Sequence, residues 1–88
     1  MRVMQFKGKK NLIHMQLQLM RVRRDISQSE LAAQMQILGT NIDQQAISNT
    51  ENNKRVVTDF ELACFCKALR CTERELLQDY YEKYGGEE

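Results

Sequence analysis

Eighty-eight residues, 42% of them hydrophobic and 28% charged, are enough for one small domain that closes a core without staples. No apolar run reaches membrane-spanning length, since residues 12–22 are broken by His14, Gln16, Gln18 and Arg21. The start of the chain also lacks the continuous apolar segment of a secretory signal, so a cytoplasmic protein is expected. The net charge of +1 is unevenly spread. Residues 1–24 carry seven bases and no acid, whereas eight acids face four bases from Val57 onward. A basic front and an acidic back suit a protein that turns one side toward a polyanion.

The elements follow in chain order, and with no proline present their limits come from caps, glycines and period. Residues 1–10 read as a flexible basic arm. From about Asn11 the positions Ile13, Leu17 and Met20 recur at helical spacing, with Leu12 and Leu19 widening the stripe, and this first helix should end near Asp25. Ser27 with Glu30 forms a capping box for a second helix, whose face carries Leu31, Ala32 and Met35 and which stops at Gly39. Asp43 caps a third, on which Ile47 is the only large apolar anchor among Gln44, Gln45, Ser48 and Asn49. Asn53 can take the left-handed conformation that ends this helix. Thr58 with Glu61 opens a fourth helix carrying Leu62, Phe65, Cys66 and Leu69. Thr72 with Glu75 opens a fifth, with Leu76, Leu77, Tyr80, Tyr81 and Tyr84, and residues 85–88 read as a disordered tail. No strand pattern appears, so the expected domain is all-α, with five helices over residues 11–84.

The third helix is thin in apolar residues and rich in amides. That is poor core material and good material for reading base edges, because a Gln or Asn amide matches the donor–acceptor pair of adenine in the major groove. A solvated surface would more often carry strong helix formers such as Lys and Glu, and they are missing there.

The segments Ser27-Gln28-x-x-Leu31-Ala32, Ala46-Ile47-Ser48-x-x-Glu51-x-x-Lys54-Arg55 and Glu61-Leu62-x-x-Phe65-Cys66-x-x-Leu69 resemble the lambdoid phage repressor and Cro class of helix-turn-helix, also called the XRE family. The resemblance covers roughly residues 13–77. It implies a compact phage-repressor-like bundle whose third helix lies in the major groove. It further implies base contacts from Gln44, Gln45, Ser48 and Asn49, and backbone contacts from Gln28, Asn52, Lys54 and Arg55. Arg21 and Glu51 match positions of a structural ion pair. Two departures stand out. The connection between helices two and three, Gln36-Ile37-Leu38-Gly39-Thr40-Asn41, is longer than the usual Leu-Gly-Val-Ser form, which bears on the tilt of the third helix. Asp43 stands where Thr or Ser is commoner.

The implied function is a transcriptional regulator, a repressor that binds double-stranded DNA as a homodimer. Leu77, Tyr80, Tyr81 and Tyr84 exceed what a last helix needs to bury and form the candidate dimer surface. A reading from another class is a protein-interaction module, such as an antitoxin or regulatory partner that keeps the fold. Its trace would be an exposed apolar patch. An enzyme has no supporting constellation: there is no Gly-rich phosphate loop, no carboxylate pair and no Cys/His arrangement, and His14 stands alone. No cofactor is expected. No metal is expected either, because Cys64, Cys66 and Cys71 form no CxxC pair, and Cys64 and Cys66 point to opposite sides of a helix. Cys66 and Cys71 read as small apolar residues of the core.

Overall fold

The computed structural model describes residues 6–84; the first half of the arm and the tail at 85–88 lie outside the described residues. Six helices follow one another: α1 His14–Arg23, α2 Gln28–Ile37, α3 Gln44–Glu51, α4 Asp59–Leu69, α5 Glu73–Leu76 and α6 Gln78–Tyr84. The fold is all-α, and the only β feature among the described residues is an isolated bridge between Phe6 and Lys9.

Local chemistry sets most of the boundaries. Ser27, Thr58 and Thr72 each accept the backbone N–H three residues on, and Glu30, Glu61 and Glu75 each return a bond to the cap's own N–H. Each box satisfies two donors that a helix start leaves open. Asp43 accepts the Ala46 N–H at 2.8 Å to start α3. Asn53 and Arg70 take positive φ values of 61° and 56° after α3 and α4.

Two boundaries differ from the expectation. The first helix begins at His14 rather than near Asn11, because Asn11 is buried and its side chain is used elsewhere. Its Oδ1 accepts the Ile13 N–H, while its Nδ2 donates to the carbonyls of Thr50 and Arg55 at 3.1 and 2.8 Å. The fifth expected helix is two. Leu77, at φ −93° and ψ 13°, closes α5 after one turn, α6 starts at Gln78, and Leu76 at the end of α5 is fully buried. The count is therefore six where five helices were expected.

The core joins Ile13, Leu17 and Met20 of the first helical region to Leu31, Ala32 and Met35 of α2. It continues through Ile42, Ile47, Phe65, Cys66, Leu69 and Leu76. Cys66 thus serves as a small apolar residue, and burial pushes its thiol up to about 12. Cys71 packs against the same core.

The lengthened connection between α2 and α3 is internally tied. Gly39 turns the chain at φ +104°, a conformation that side-chain-bearing residues rarely adopt. Thr40 is buried: its hydroxyl donates to the Met35 carbonyl at 3.0 Å and accepts the Ile42 N–H at 3.2 Å. Gln36 Nε2 donates to the Ile42 carbonyl, and the Ile42 side chain enters the core. The extra length gives α3 an additional apolar anchor just before its cap.

Candidate nucleic-acid interface

The two faces of α3 differ in chemistry. Ile47, Thr50 and Glu51 point inward and are buried. Thr50 bonds its hydroxyl to the Ala46 carbonyl at 2.7 Å, so its polar atom is satisfied within the helix. Gln44 and Gln45 are exposed, Ser48 and Asn49 are half-buried, and all four lie with Asn52 along the outer face. Gln45 Nε2 donates to Asn49 Oδ1 at 3.2 Å, and Asn52 Nδ2 donates to Ser48 Oγ at 3.4 Å. These bonds hold neighbouring amides in a row while leaving donors and acceptors on their outer edges. Gln44 makes no side-chain bond among the described residues.

Under that row sits a forked ion pair. Arg21 Nε donates to Glu51 Oε2 at 2.7 Å and its terminal nitrogen donates to Oε1 at 3.1 Å. The Glu51 side chain is 2% exposed and that of Arg21 12%. Arg21 also donates to the Ile26 carbonyl. The Glu51 hydrogen bond raises the Arg21 guanidinium above its ordinary value, against the opposing effect of burial. Gln28, at the start of α2, donates from Nε2 to the same Glu51 oxygen at 3.1 Å. One carboxylate thereby links α1, α2 and α3. Three hydrogen bonds from two side chains fill its lone pairs, which a buried charge requires.

Behind α3 the candidate backbone contacts divide. Asn52 and Lys54 are exposed. Arg55 forks onto Glu61, with distances of 3.0 and 2.8 Å, and is half-buried. Burial works to raise the Glu61 carboxyl, but the Arg55 guanidinium and the Thr58 cap outweigh it and hold it below its ordinary 4.5. His14 is also lowered, from 6.5, by burial first and then by Lys9 and Lys83, with Asp79 opposing. Both groups titrate lower in the folded chain than in the unfolded one. Their contributions are therefore present above the ordinary values and are lost as pH falls through the folded ones. The melting temperature is expected to decline below about pH 6.5 as His14 takes up its proton, and again below about 4.5 as Glu61 does. Calorimetry across this range checks it; a Glu61→Gln variant should show a shallower second decline, and an unchanged one would contradict the assignment.

The tyrosines are partly spoken for within the chain. Phe6 meets Tyr80 and Tyr84 edge-on, with ring centroids 5.9 and 5.4 Å apart. Tyr81 is exposed and carries the Arg74 guanidinium 4.2 Å from its ring centroid. Leu77 packs against the core. Residues 6–10, read from the sequence as part of a flexible arm, form a turn here.

Sequence reasoning missed Asn11, Thr40 and the side chain of Asn53, each a polar residue with no periodic signature. Only residue type, an isolated Asn or Thr beside a helix end, could have pointed to them.

An all-helical domain that packs one helix behind another, with the outer face of the second lined by amides, defines a helix-turn-helix DNA-binding domain. The sequence description of the Cro/C1-type HTH DNA-binding domain matches residues 16–81, and the chain belongs to that family. Comparison with curated proteins and with solved structures finds no match. No helix among the described residues is long and apolar enough to cross a membrane.

Proposed function

We propose that this chain is a sequence-specific transcriptional regulator acting in the cytoplasm, a repressor that binds duplex DNA as a homodimer. The observation that carries the reading is the two-faced α3, its inner face locked into the core and its outer face a row of Gln44, Gln45, Ser48 and Asn49. Those four read base edges, with amides favouring adenine-containing steps. Gln28, Asn52, Lys54 and Arg55 set the register on phosphates, Gln28 and Arg55 while still tied to Glu51 and Glu61.

Two-fold binding needs a seam between protomers, with half-sites about one DNA turn apart. The tyrosine surface at Leu77, Tyr80, Tyr81 and Tyr84 continues onto the outer side of α1. Met15 lines a cleft together with Tyr80 and Tyr84, and Gln16 Nε2 bonds Asp79 of α6 at 3.2 Å. Met15, Leu19 and Val22 then expose an apolar stripe 62%, 40% and 59% accessible. Stripes of that kind mark interaction surfaces when they are contiguous.

Sedimentation with and without a duplex tests the reading. Two protomers per duplex are expected, and Leu19→Gln, which changes no charge, should shift the complex toward one. One protomer both free and on DNA removes the dimer. No complex with any duplex moves the fold to a protein-interaction role, such as an antitoxin or regulatory partner.

A further inference from the structure

Residues 6–11, ahead of α1, are folded onto the end of α3. Phe6 and Lys9 exchange two backbone hydrogen bonds of 2.8 and 2.9 Å, with Lys7 and Gly8 at positive φ between them. On one side the turn is anchored by the Phe6 ring against Tyr80 and Tyr84. On the other, Asn53 Oδ1 accepts the Lys10 N–H at 2.8 Å and the Asn11 N–H at 3.5 Å, and its Nδ2 donates to the Gly8 carbonyl at 3.5 Å. The Asn11 amide fastens the same strip to the carbonyls of Thr50 and Arg55.

The three lysines of the turn have different surroundings. Lys7 Nζ sits over the Phe6 and Tyr84 rings at 5.6 and 5.4 Å. Lys9 is half-buried in the cleft with His14 and Asp79. Lys10 is exposed and, among the described residues, pairs with no acid. Its backbone is bonded to Asn53, and Lys54, exposed and likewise without an acid, is the next residue along. Residues 6–11 and 52–56 contain no acid, and Glu61 beyond them is engaged by Arg55. The backbones that carry these two lysines are thus tied together by a specific hydrogen-bond network, at a place where no acid among the described residues offsets their charge. A polyanion would.

We propose that the 6–10 turn is a second phosphate-binding element, in which Lys10 and Lys54 together bracket the DNA backbone beside α3 and Asn53 is the residue that positions Lys10. The inference rests on the reading of the chain as a duplex-DNA binder. Each phosphate contact contributes about 0.9 to the slope of log affinity against log salt. Lys10→Gln and Lys54→Gln should therefore each reduce that slope by about one, for cognate and unrelated duplexes alike. Asn53→Gly separates position from charge. Glycine adopts the required positive φ, so the turn after α3 survives while the latch to Gly8 and Lys10 is deleted.

Fluorescence anisotropy of labelled duplexes over a salt series, with circular dichroism melts to establish folding, reads the wild type, the three single variants and the two double variants. In the Asn53→Gly background, Lys10→Gln should no longer change the slope, whereas Lys54→Gln still should. Wild-type protein that binds duplex with a slope unaltered by Lys10→Gln overturns this inference alone. An equal Lys10 effect with and without Asn53 overturns the positioning role. Wild-type protein that binds no duplex at all overturns both this inference and the function on which it rests.

Discussion

Replacing Glu51 by Ala is expected to lower the stability of the domain by about 3–5 kcal/mol, the usual cost of leaving one member of a buried ion pair alone. Glu51 is buried at the end of α3 and accepts from Arg21 twice and from Gln28 once. Without its carboxylate, the Arg21 guanidinium keeps, among the described residues, the Ile26 carbonyl alone as a partner. Gln28 loses the one side-chain bond it makes among the described residues as well. Replacing both charges, as in Arg21→Met with Glu51→Leu, should recover much of that loss, because the pair's attraction is largely offset by the cost of desolvating it. Urea denaturation of the two variants beside wild type gives the comparison. A Glu51→Ala loss below about 1 kcal/mol, the range of a surface pair, would show that Glu51 does not brace α1, α2 and α3.

Replacing Gln44 by Ala is expected to cost about 1–3 kcal/mol of binding at a single base position while leaving affinity for unrelated DNA unchanged. Gln44 is exposed at the first turn of α3, next to the Asp43 cap. Its amide forms no bond within the protein among the described residues, so both its donor and its acceptor are available for a bidentate contact. Gln45 differs, because one of its N–H groups is given to Asn49. Its alanine variant should also disturb Asn49 and so blur two positions. Asp43, one residue earlier, directs its carboxylate back to the Ala46 N–H, and its charge is partly offset at the helix N-terminus.

Much of this architecture is written locally and is therefore legible in the chain. Three Ser/Thr-x-x-Glu boxes, an Asp cap and the spacing of Ile13, Leu17 and Met20 locate helices through contacts within one or two turns. The family resemblance rests on those same local signals, and residues 16–81 match it. What the sequence conceals is long-range. Asn11 reaches residues about forty positions away, and no periodicity marks a single asparagine that closes such a contact. Thr40 and Ile42 convert a lengthened connection into a tied one, and only the packing of Ile42 into a distant core shows it. The break at Leu77 is equally unmarked, since Leu76 and Leu77 would suit a continuous helix. Arg55 reads from the sequence as a DNA-backbone contact, and its pairing with Glu61 in the first turn of the next helix has no local signature.

The central claim is that α3 reads bases and that two copies do so together. Selection of bound duplexes from a random pool, run in parallel with wild-type protein and Gln44→Ala, addresses it most directly. Wild type is expected to enrich a two-fold site with half-sites about one DNA turn apart, and the variant the same spacing with one base position per half-site relaxed. Enrichment of no sequence by the folded wild-type protein, or an identical site from both proteins, would contradict it.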